Sequence, residues 1–277
     1  MRFYTIAAAA FICAGQASGQ SVGKMFGDDV KHAAQDIWHV YKAPFSASGK
    51  DWAMFGGVVA LSALAMPLDK PVEKWAQAND SSPVFKPIEQ LRRGGWLFAG
   101  KYVVPPAVGL YAIGLATKNQ NLRDGVIGCA ASWGGQSPPR KLLYRIIGRQ
   151  RPETSPDDNQ SWRIPNRTES GEDSWQWHSM PSGHFANAVG CASFLANRFD
   201  MHGWEALVYA IAAGVGIGRS LDHAHWMSDH VIGGAFGYAV GKEVARRSLN
   251  RKLASSSPSM TASPNERGYT FNLSWRF

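Results

Sequence analysis

The amino-acid sequence predicts an all-α protein, a helical bundle of about six helices, from three observations. Apolar residues recur with helical spacing, as in residues 28–41, where Val30, Ile37 and Tyr41 share one face. Strict alternation of apolar and polar residues, the pattern of a β-strand, occurs at residues 269–277. The rest of the sequence has no series of such segments. A hydrophobic content of 45% and 11 tryptophans supply enough side chains for a large core.

The helices are expected at successive apolar runs that proline, glycine or charged residues separate. After residues 28–41, these runs are 52–66, 96–116, 125–133, 185–196, 204–217 and 230–240. The triplet Ser137-Pro138-Pro139 is expected to divide the run at 125–133 from the basic helix after it. The runs 185–196 and 204–217 are expected to form an antiparallel hairpin, and the glycines of 230–240 suit close helix packing.

By composition, the chain divides into three parts. Residues 1–19 have the basic start, apolar middle and small-residue end of a secretory signal peptide. Residues 20–252 are the helical domain, and residues 253–277 are a Ser/Pro-rich linker with a short strand-like tail. Cys129 and Cys191 lie in apolar stretches, where either a disulfide or two buried thiols would fit. The protein is therefore expected to be exported to the periplasmic side of the cell envelope.

The net charge of +8 suits a partner that carries phosphate, or an anionic membrane surface. The same excess of Lys and Arg is compatible with a solvated surface, because the basic residues are dispersed along the chain. No nucleic-acid motif is visible, so no nucleic-acid partner is expected. Most apolar runs are shorter than the roughly 20 residues of a spanning helix, which leaves a soluble periplasmic bundle open. The runs that begin at Trp52 and Trp96 favour membrane association.

A histidine motif, Met180-Pro181-Ser182-Gly183-His184, precedes the run 185–196. Proline and glycine interrupt regular structure and serine is a good N-cap, so His184 is expected in the first turn of a helix. Helix N-termini have unpaired N–H groups and a partial positive charge. This position therefore suits a bound oxyanion.

A second histidine motif follows the run 204–217 and contains Arg219, His225 and Asp229. Residues four apart share one face of a helix, so the Asp229 carboxylate is expected to reach one imidazole nitrogen of His225. The other nitrogen would then keep a free lone pair. His223 is out of helical register with Asp229, and His178 lies in a Trp-rich loop, so neither is assigned a role.

A third, basic cluster at residues 141–152 ends in Gly-Arg-x-Arg-Pro. The order Gly-Arg-x-Arg-Pro, Pro-Ser-Gly-His and Arg-x5-His-x3-Asp resembles the type 2 phosphatidic acid phosphatase (PAP2) superfamily, which includes bacterial acid phosphatases and vanadium haloperoxidases. The resemblance covers roughly residues 141–241. It implies a helical bundle whose active site is built from the three motifs.

The resemblance also implies a metal-independent phosphatase without a cofactor, which hydrolyses phosphate monoesters or lipid and isoprenyl (pyro)phosphates. In that family, the counterpart of His225 attacks phosphorus and becomes a phosphohistidine, and the counterpart of Asp229 orients it. The counterpart of His184 protonates the leaving group. The phosphoryl oxygens would be held by Arg151, Arg219, Ser182 and the Gly183 N–H. The expected partner is a phosphate ester, including that of a membrane lipid.

Two positions depart from the family pattern. Tyr144 replaces the lysine that usually lies seven residues before the Arg-Pro arginine. Lys141 or Arg145 is expected to supply the missing charge to the phosphate. Gly218 replaces the serine that usually precedes the arginine of the last motif, which removes one hydroxyl donor. Such a loss costs about 2.7–4 kcal/mol where nothing replaces the donor, so the activity is expected to be weak or narrow.

Two other functions fit the motifs. A vanadium-dependent haloperoxidase uses the same motifs to hold vanadate, but this chain is short for that class. A catalytically degraded binding or envelope protein is the other alternative, and Tyr144 and Gly218 are its support. The loop 153–179 carries Trp162, Trp175 and Trp177, which would either face an apolar substrate tail or pack within the loop.

Overall fold

The protein is all-α in the computed structural model, which describes residues 20–86, 88, 103–167, 173–256, 259–265 and 268–274. The helices are α1 (Val22–Lys42), α2 (Gly49–Ala65), α3 (Asp69–Asn79), α4 (Val104–Ala116), α5 (Gln120–Ile146), α6 (Gly183–Arg198), α7 (Glu205–Leu221) and α8 (Met227–Ser256). The short strands β1 (Gly148–Arg149) and β2 (Trp162–Arg163) pair antiparallel. The predicted fold class is confirmed. The predicted signal peptide at 1–19 lies outside the described residues.

Helices α6 and α8 pack closely because glycines on α8 let the two backbones approach. A Cβ at Gly237 would lie 2.2 Å from Ala186 O, and one at Gly241 would lie 2.1 Å from Gly190 O. Both positions therefore require glycine. This contact agrees with the close packing expected of residues 230–240, and it places the start of α6 beside the start of α8.

Helix α5 is one continuous helix, so the break predicted at Ser137-Pro138-Pro139 is wrong. A proline in a helix leaves the carbonyl four residues earlier without its N–H partner. For Pro138 that carbonyl belongs to Gly134, and the Tyr41 hydroxyl of α1 donates a hydrogen bond of 2.8 Å to it. The tertiary contact thus replaces the hydrogen bond that the proline removes.

A disulfide between Cys129 and Cys191 joins the middle of α5 to the middle of α6. Of the two alternatives that the sequence leaves open, the structure has the disulfide rather than two free thiols. The two Cα atoms are 4.5 Å apart, and the cysteines are 62 residues apart in sequence. The bond therefore links the helix before the first motif to the helix that begins at the second.

The C-terminal segment forms an antiparallel hairpin of β3 (Ser259–Asn265) and β4 (Gly268–Ser274). Strand β4 lies where the alternating pattern predicts a strand, whereas β3 occupies part of the segment interpreted as a linker. The last residues of the alternating pattern, 275–277, lie outside the described residues.

Two helices of the N-terminal part expose apolar side chains instead of burying them. Among the described residues, the helical stretch Gly49–Asn79 is long and apolar enough to cross a membrane by length and composition, and α4 is a shorter apolar helix. On α2, Trp52, Phe55 and Leu64 are 53%, 53% and 74% exposed. The rest of the run predicted at 96–116, residues 96–102, lies outside the described residues.

Candidate active site

The N-terminus of α6 contributes the first part of the site. Ser182 is the N-cap residue and His184 lies in the first turn, as the breakers before them predict. The Ser182 side chain makes no capping hydrogen bond, and its buried Oγ has no partner among the described residues. A Cβ at Gly183 would lie 2.8 Å from Arg140 Nε, so glycine gives an arginine access to this helix end. The N-terminus thus combines free N–H groups with a hydroxyl and a cation.

His225 lies in the loop before α8, so the predicted helical register between His225 and Asp229 is wrong. The His225 Nδ1 atom is 2.7 Å from the carbonyl oxygen of Ser179. A carbonyl only accepts hydrogen bonds, so Nδ1 carries the proton and Nε2 has the lone pair. The Nε2 atom is buried and has no partner in the part of the chain that the structure describes. The predicted free lone pair therefore exists, but a backbone carbonyl orients the ring.

Asp229 acts on His225 through Ser179 rather than directly. One of its carboxylate oxygens accepts hydrogen bonds from Ser179 Oγ at 2.5 Å and from the Trp226 N–H at 2.8 Å. The other accepts from Arg149 Nη1 at 2.6 Å. Burial raises the pKa of Asp229, while Arg149 and Ser179 oppose that effect. Because Ser179 bonds Asp229 with its hydroxyl and His225 with its carbonyl, it couples the two residues.

Arg151 is buried, and carbonyl groups hold it in place. Its Nε donates to Trp175 O at 3.0 Å and its Nη2 to His178 O at 3.3 Å, while the guanidinium lies 3.6 Å from the centre of the Trp175 ring. Its Nη1 has no partner within the described residues. Burial and nearby Arg219 lower the pKa of Arg151 to about 10, so the side chain stays cationic at neutral pH.

Arg219 lies in the last turn of α7. Its Nη1 donates to Asp222 at 2.8 Å, whereas its buried Nε lacks a partner in the described structure. Burial lowers the pKa of His225, and Arg151, Arg219 and His184 add to that effect. Residues from all three motifs therefore affect the pKa of one imidazole.

Four buried atoms of the three motifs have no hydrogen-bond partner among the described residues, and we call them the open cluster: Arg151 Nη1, Ser182 Oγ, Arg219 Nε and His225 Nε2. Buried polar groups in folded proteins are nearly always hydrogen-bonded, so each such atom requires an explanation. Two of these atoms are cationic donors, one is a hydroxyl, and one is a nucleophilic nitrogen. Such a set is complementary to a tetrahedral oxyanion.

His184 is held neutral in this environment. Burial lowers its pKa to about 3, and Arg219, Arg140 and Arg151 contribute through their positive charges. A bound phosphate dianion would lie among the same arginines and oppose their effect. Anion binding is therefore expected to raise the pKa of His184 and to protonate it.

Arg140, rather than Lys141 or Arg145, is the basic side chain of α5 that contacts the start of α6. Lys141 and Arg145 are exposed on α5, so the structure does not support their assignment to the buried phosphate site. Arg140 instead donates from Nη1 to Asn187 Oδ1 at 3.0 Å and to Gly183 O at 3.3 Å, both on α6. Arg140 lies one turn before Tyr144 on α5, and that spacing is the signal by which the sequence shows it.

Tyr144 supports the second motif instead of contacting the open cluster. Its hydroxyl donates to Pro181 O at 2.7 Å, and its ring stacks on His178 with 4.8 Å between the ring centres. His223, which was also not assigned a role, bonds Glu73 through Nδ1 at 2.8 Å. Neither His178 nor His223 contributes an atom to the open cluster.

The tryptophans of the loop 153–179 cover arginines. Trp162 lies against Arg149 and Trp177 against Arg163, with 4.9 and 3.9 Å from guanidinium to ring centre. Together with Trp175 on Arg151, these contacts favour packing within the loop over contact with an apolar tail. Residues 168–172 of this loop lie outside the described residues.

The chain is similar to known proteins. Residues 140–252 match the model of the PAP2 superfamily. The lipid A 1-phosphatase of Porphyromonas gingivalis is 36% identical over 67 residues, a match that covers 24% of this chain and 15% of that protein. A transmembrane PAP2-type phosphatidylglycerolphosphate phosphatase from Bacillus subtilis, solved as a crystal structure, is 18% identical with a TM-score of 0.47. That comparison covers 73% of this chain and 94% of the other.

The family match spans the three motifs and every atom of the open cluster. The match to the lipid A 1-phosphatase is confined to a short part of that longer protein. The resemblance drawn from the three motifs is confirmed by the match of residues 140–252 to the model of the PAP2 superfamily.

Proposed function

We propose that the protein is a phosphatase that hydrolyses phosphate monoesters or lipid and isoprenyl (pyro)phosphates through a phosphohistidine. The observation that carries this proposal is the open cluster, in which two arginines, a hydroxyl and an imidazole lone pair are buried with atoms that lack partners among the described residues. Preorganised donors of this kind stabilise the charge that develops on phosphoryl oxygens in the transition state. The match to the PAP2 superfamily model and the match to a lipid A 1-phosphatase support the same class of substrate.

In the first step, His225 Nε2 attacks phosphorus and forms an N–P bond. The P–O bond to the leaving group breaks, and the leaving oxygen keeps the electron pair and takes a proton from His184. In the second step, water attacks the phosphohistidine while His184 takes a proton from that water. The N–P bond breaks, its electron pair returns to His225, and inorganic phosphate is released. Arg151, Arg219 and Arg140 face the phosphoryl oxygens in both steps.

Tyr144 and Gly218 are compatible with this activity. Arg140 provides a cation that the replacement of lysine by Tyr144 would otherwise remove. Ser182 Oγ remains as a hydroxyl donor although Gly218 provides none. The position of Arg140 and the presence of the Ser182 hydroxyl argue against the degraded binding protein that the sequence leaves open.

We further propose that the protein is exported and lies against a membrane. The exposed apolar side chains of α2 and the apolar helix α4 provide a surface for lipid contact. The disulfide between Cys129 and Cys191 is typical of proteins in oxidising compartments outside the cytosol.

The test is phosphate release by the purified full-length protein, with and without detergent, from isoprenyl, glycerolipid and soluble phosphates. His225→Ala should abolish turnover, whereas His223→Ala, a change in the same loop, should retain it. A base-quenched reaction of the wild type should show an acid-labile phosphoryl group on His225. Turnover by His225→Ala, or labelling of His223, would refute the assignment.

The role of His184 has its own test, based on the leaving group. His184→Ala should lose much more activity on an alkyl phosphate than on p-nitrophenyl phosphate, whose leaving group needs no proton. Because His184 also acts in the second step, the losses are compared for the rate of phosphohistidine formation in a single turnover, and equal losses on the two substrates there would show that His184 is not the acid.

A further inference from the structure

Asp69, the first residue of α3, lies outside the three motifs and outside the segment that matches the family. It is 1% exposed and accepts four hydrogen bonds. Its Oδ1 accepts from the Ser228 N–H at 2.8 Å, and its Oδ2 accepts from Ser228 Oγ at 2.9 Å, Arg149 Nη2 at 2.6 Å and Asn159 Nδ2 at 3.2 Å. A carboxylate from one helix thus binds the first turn of another, beside Asp229.

Arg149 joins Asp69 to Asp229. It is fully buried and donates from Nη2 to Asp69 and from Nη1 to Asp229, in each case at 2.6 Å. Its Nη1 also donates to Ser228 Oγ at 2.7 Å. We call the hydrogen-bonded set of Arg149, Asp69, Asp229, Ser228 and Asn159 the closed network.

The closed network reaches the proposed nucleophile by a short route. Asp229 accepts from Ser179 Oγ, and the carbonyl of Ser179 accepts from His225 Nδ1. The Ser179 N–H donates in turn to Arg149 O at 3.2 Å. Any movement of Arg149 therefore displaces both the carboxylate and the backbone that orient His225.

We propose that Asp69 is a positioning residue for this site. Its charge holds the Arg149 guanidinium, its Oδ1 holds the first turn of α8, and through both it fixes the tautomer and orientation of His225. Asp69 touches none of the atoms of the open cluster, so it is expected to affect turnover and not the binding of phosphate. The kinetic part of this inference rests on the proposed phosphatase activity, whereas its spectroscopic part does not.

The kinetic test uses Asp69→Asn, which keeps the volume and one oxygen for the Ser228 N–H but removes the charge beside Arg149. We expect kcat to fall by about 10- to 100-fold, as is typical when a residue that orients a site residue is changed. The inhibition constant for inorganic phosphate should stay within about 2-fold, because Arg151 and Arg219 keep their contacts. The milder Ser228→Ala should also lower kcat, and it replaces Asp69→Asn in this test if that variant does not fold.

Asp36→Asn is the matched control. Asp36 is 2% exposed and accepts hydrogen bonds of 2.7 Å from Arg247 and Arg251, so it is a buried carboxylate held by arginines away from the site. Its change should lower the melting temperature but leave kcat per folded molecule unchanged. Equal kcat losses for Asp36→Asn and Asp69→Asn would reduce Asp69 to a structural residue and overturn the inference.

A measurement without turnover separates the two proposals. In ¹⁵N-histidine-labelled protein, the His225 ring, assigned by His225→Gln, should show the Nδ1–H tautomer in the wild type and in Asp36→Asn. In Asp69→Asn the ring should show a mixture of tautomers. A single, unchanged tautomer in Asp69→Asn would refute the inference. If the wild type hydrolyses no phosphate, the proposed function fails and this spectrum still decides the role of Asp69.

Discussion

Arg149 and Arg151 belong to the same motif and lie two residues apart, yet they differ in every hydrogen bond. In the closed network all three nitrogens of Arg149 have acceptors, two of which are carboxylates. In the open cluster Arg151 bonds two carbonyl groups, and its Nη1 bonds nothing among the described residues. Both arginines are buried, and both lie against tryptophan rings. Burial alone therefore does not separate a structural arginine from one that binds a ligand.

The difference lies in where the compensating negative charge comes from. Arg149 pairs with two carboxylates of its own chain, so its charge is already compensated and it is not available to bind an external anion. Arg151 has none within hydrogen-bond distance among the described residues, and a buried cation without a paired carboxylate favours an external anion. The carboxylates near a buried arginine thus indicate whether the arginine belongs to the fold or to the site.

The largest expected effect is on the closed network. Arg149→Met leaves Asp69 and Asp229 buried without their cation, which should lower the free energy of unfolding by about 3–5 kcal/mol. Urea unfolding measures this loss, and phosphate should not restore it. Arg246→Met is the control, because Arg246 pairs with Glu243 at the surface and its loss should cost about 1 kcal/mol or less. If Arg149→Met also lowered the free energy of unfolding by only about 1 kcal/mol or less, the structural role of Arg149 would be contradicted.

Changes in the open cluster should lower the rate of catalysis rather than the stability. Arg151→Met removes a donor to the phosphoryl oxygens and should lower kcat by about 10²- to 10³-fold, which corresponds to about 2.7–4 kcal/mol. It should also abolish inhibition by vanadate, a mimic of the five-coordinate transition state. Arg163→Met changes an arginine of the loop 153–179, which lies against Trp177, and should have neither effect. The distinction between Arg149 and Arg151 would be wrong if Arg151→Met lost as much stability as Arg149→Met and kept its turnover.

A smaller effect is expected at the third cation. Arg140→Gln should lower kcat/KM by about 10-fold, the equivalent of about 1.5 kcal/mol for a charge-assisted hydrogen bond. Lys141→Gln and Arg145→Gln, on the exposed side of the same helix, should leave kcat/KM unchanged. A loss confined to either of these two variants would restore the assignment made from the sequence.

The smallest effect concerns pH. Burial holds the pKa of His225 well below its ordinary value, so the unfolded chain binds the proton more readily as pH falls below about 6.5. The free energy of unfolding should therefore fall on acidification, by at most about 1.4 kcal/mol per pH unit for this histidine. His225→Gln should flatten the dependence, as measured by urea unfolding between about pH 7.5 and about pH 5, the range that brackets the ordinary pKa of histidine. An unchanged slope would show that His225 is not buried neutral.

Local sequence patterns predict the helices and the position of His184, because N-caps and apolar spacing act within one or two turns. They do not predict Asp69 or Arg140. Asp69 meets Ser228 and Arg149 across 159 and 80 residues of sequence, so only tertiary packing brings them together. The i, i+4 spacing of His225 and Asp229 predicts a contact, but α8 begins between them and Asp229 bonds the Trp226 N–H instead.

The same limit explains the error at Pro138 and Pro139. The sequence shows the missing N–H groups but not the Tyr41 hydroxyl that compensates for one of them from another helix. The resemblance to a family, in contrast, identifies residues of the open cluster, because their order along the chain is retained even where local geometry differs from expectation.

The disulfide between Cys129 and Cys191 gives the site a topological property. The two cysteines close a covalent ring of the chain that contains Arg140, both arginines of the first motif, and His184. Closing a ring across a separation of 62 residues reduces the entropy of the unfolded chain by an amount worth about 4 kcal/mol in the chain-entropy model. Reducing agents would open this ring without touching any side chain of the site. The redox state of its surroundings would then determine how much of the protein is folded at a given temperature.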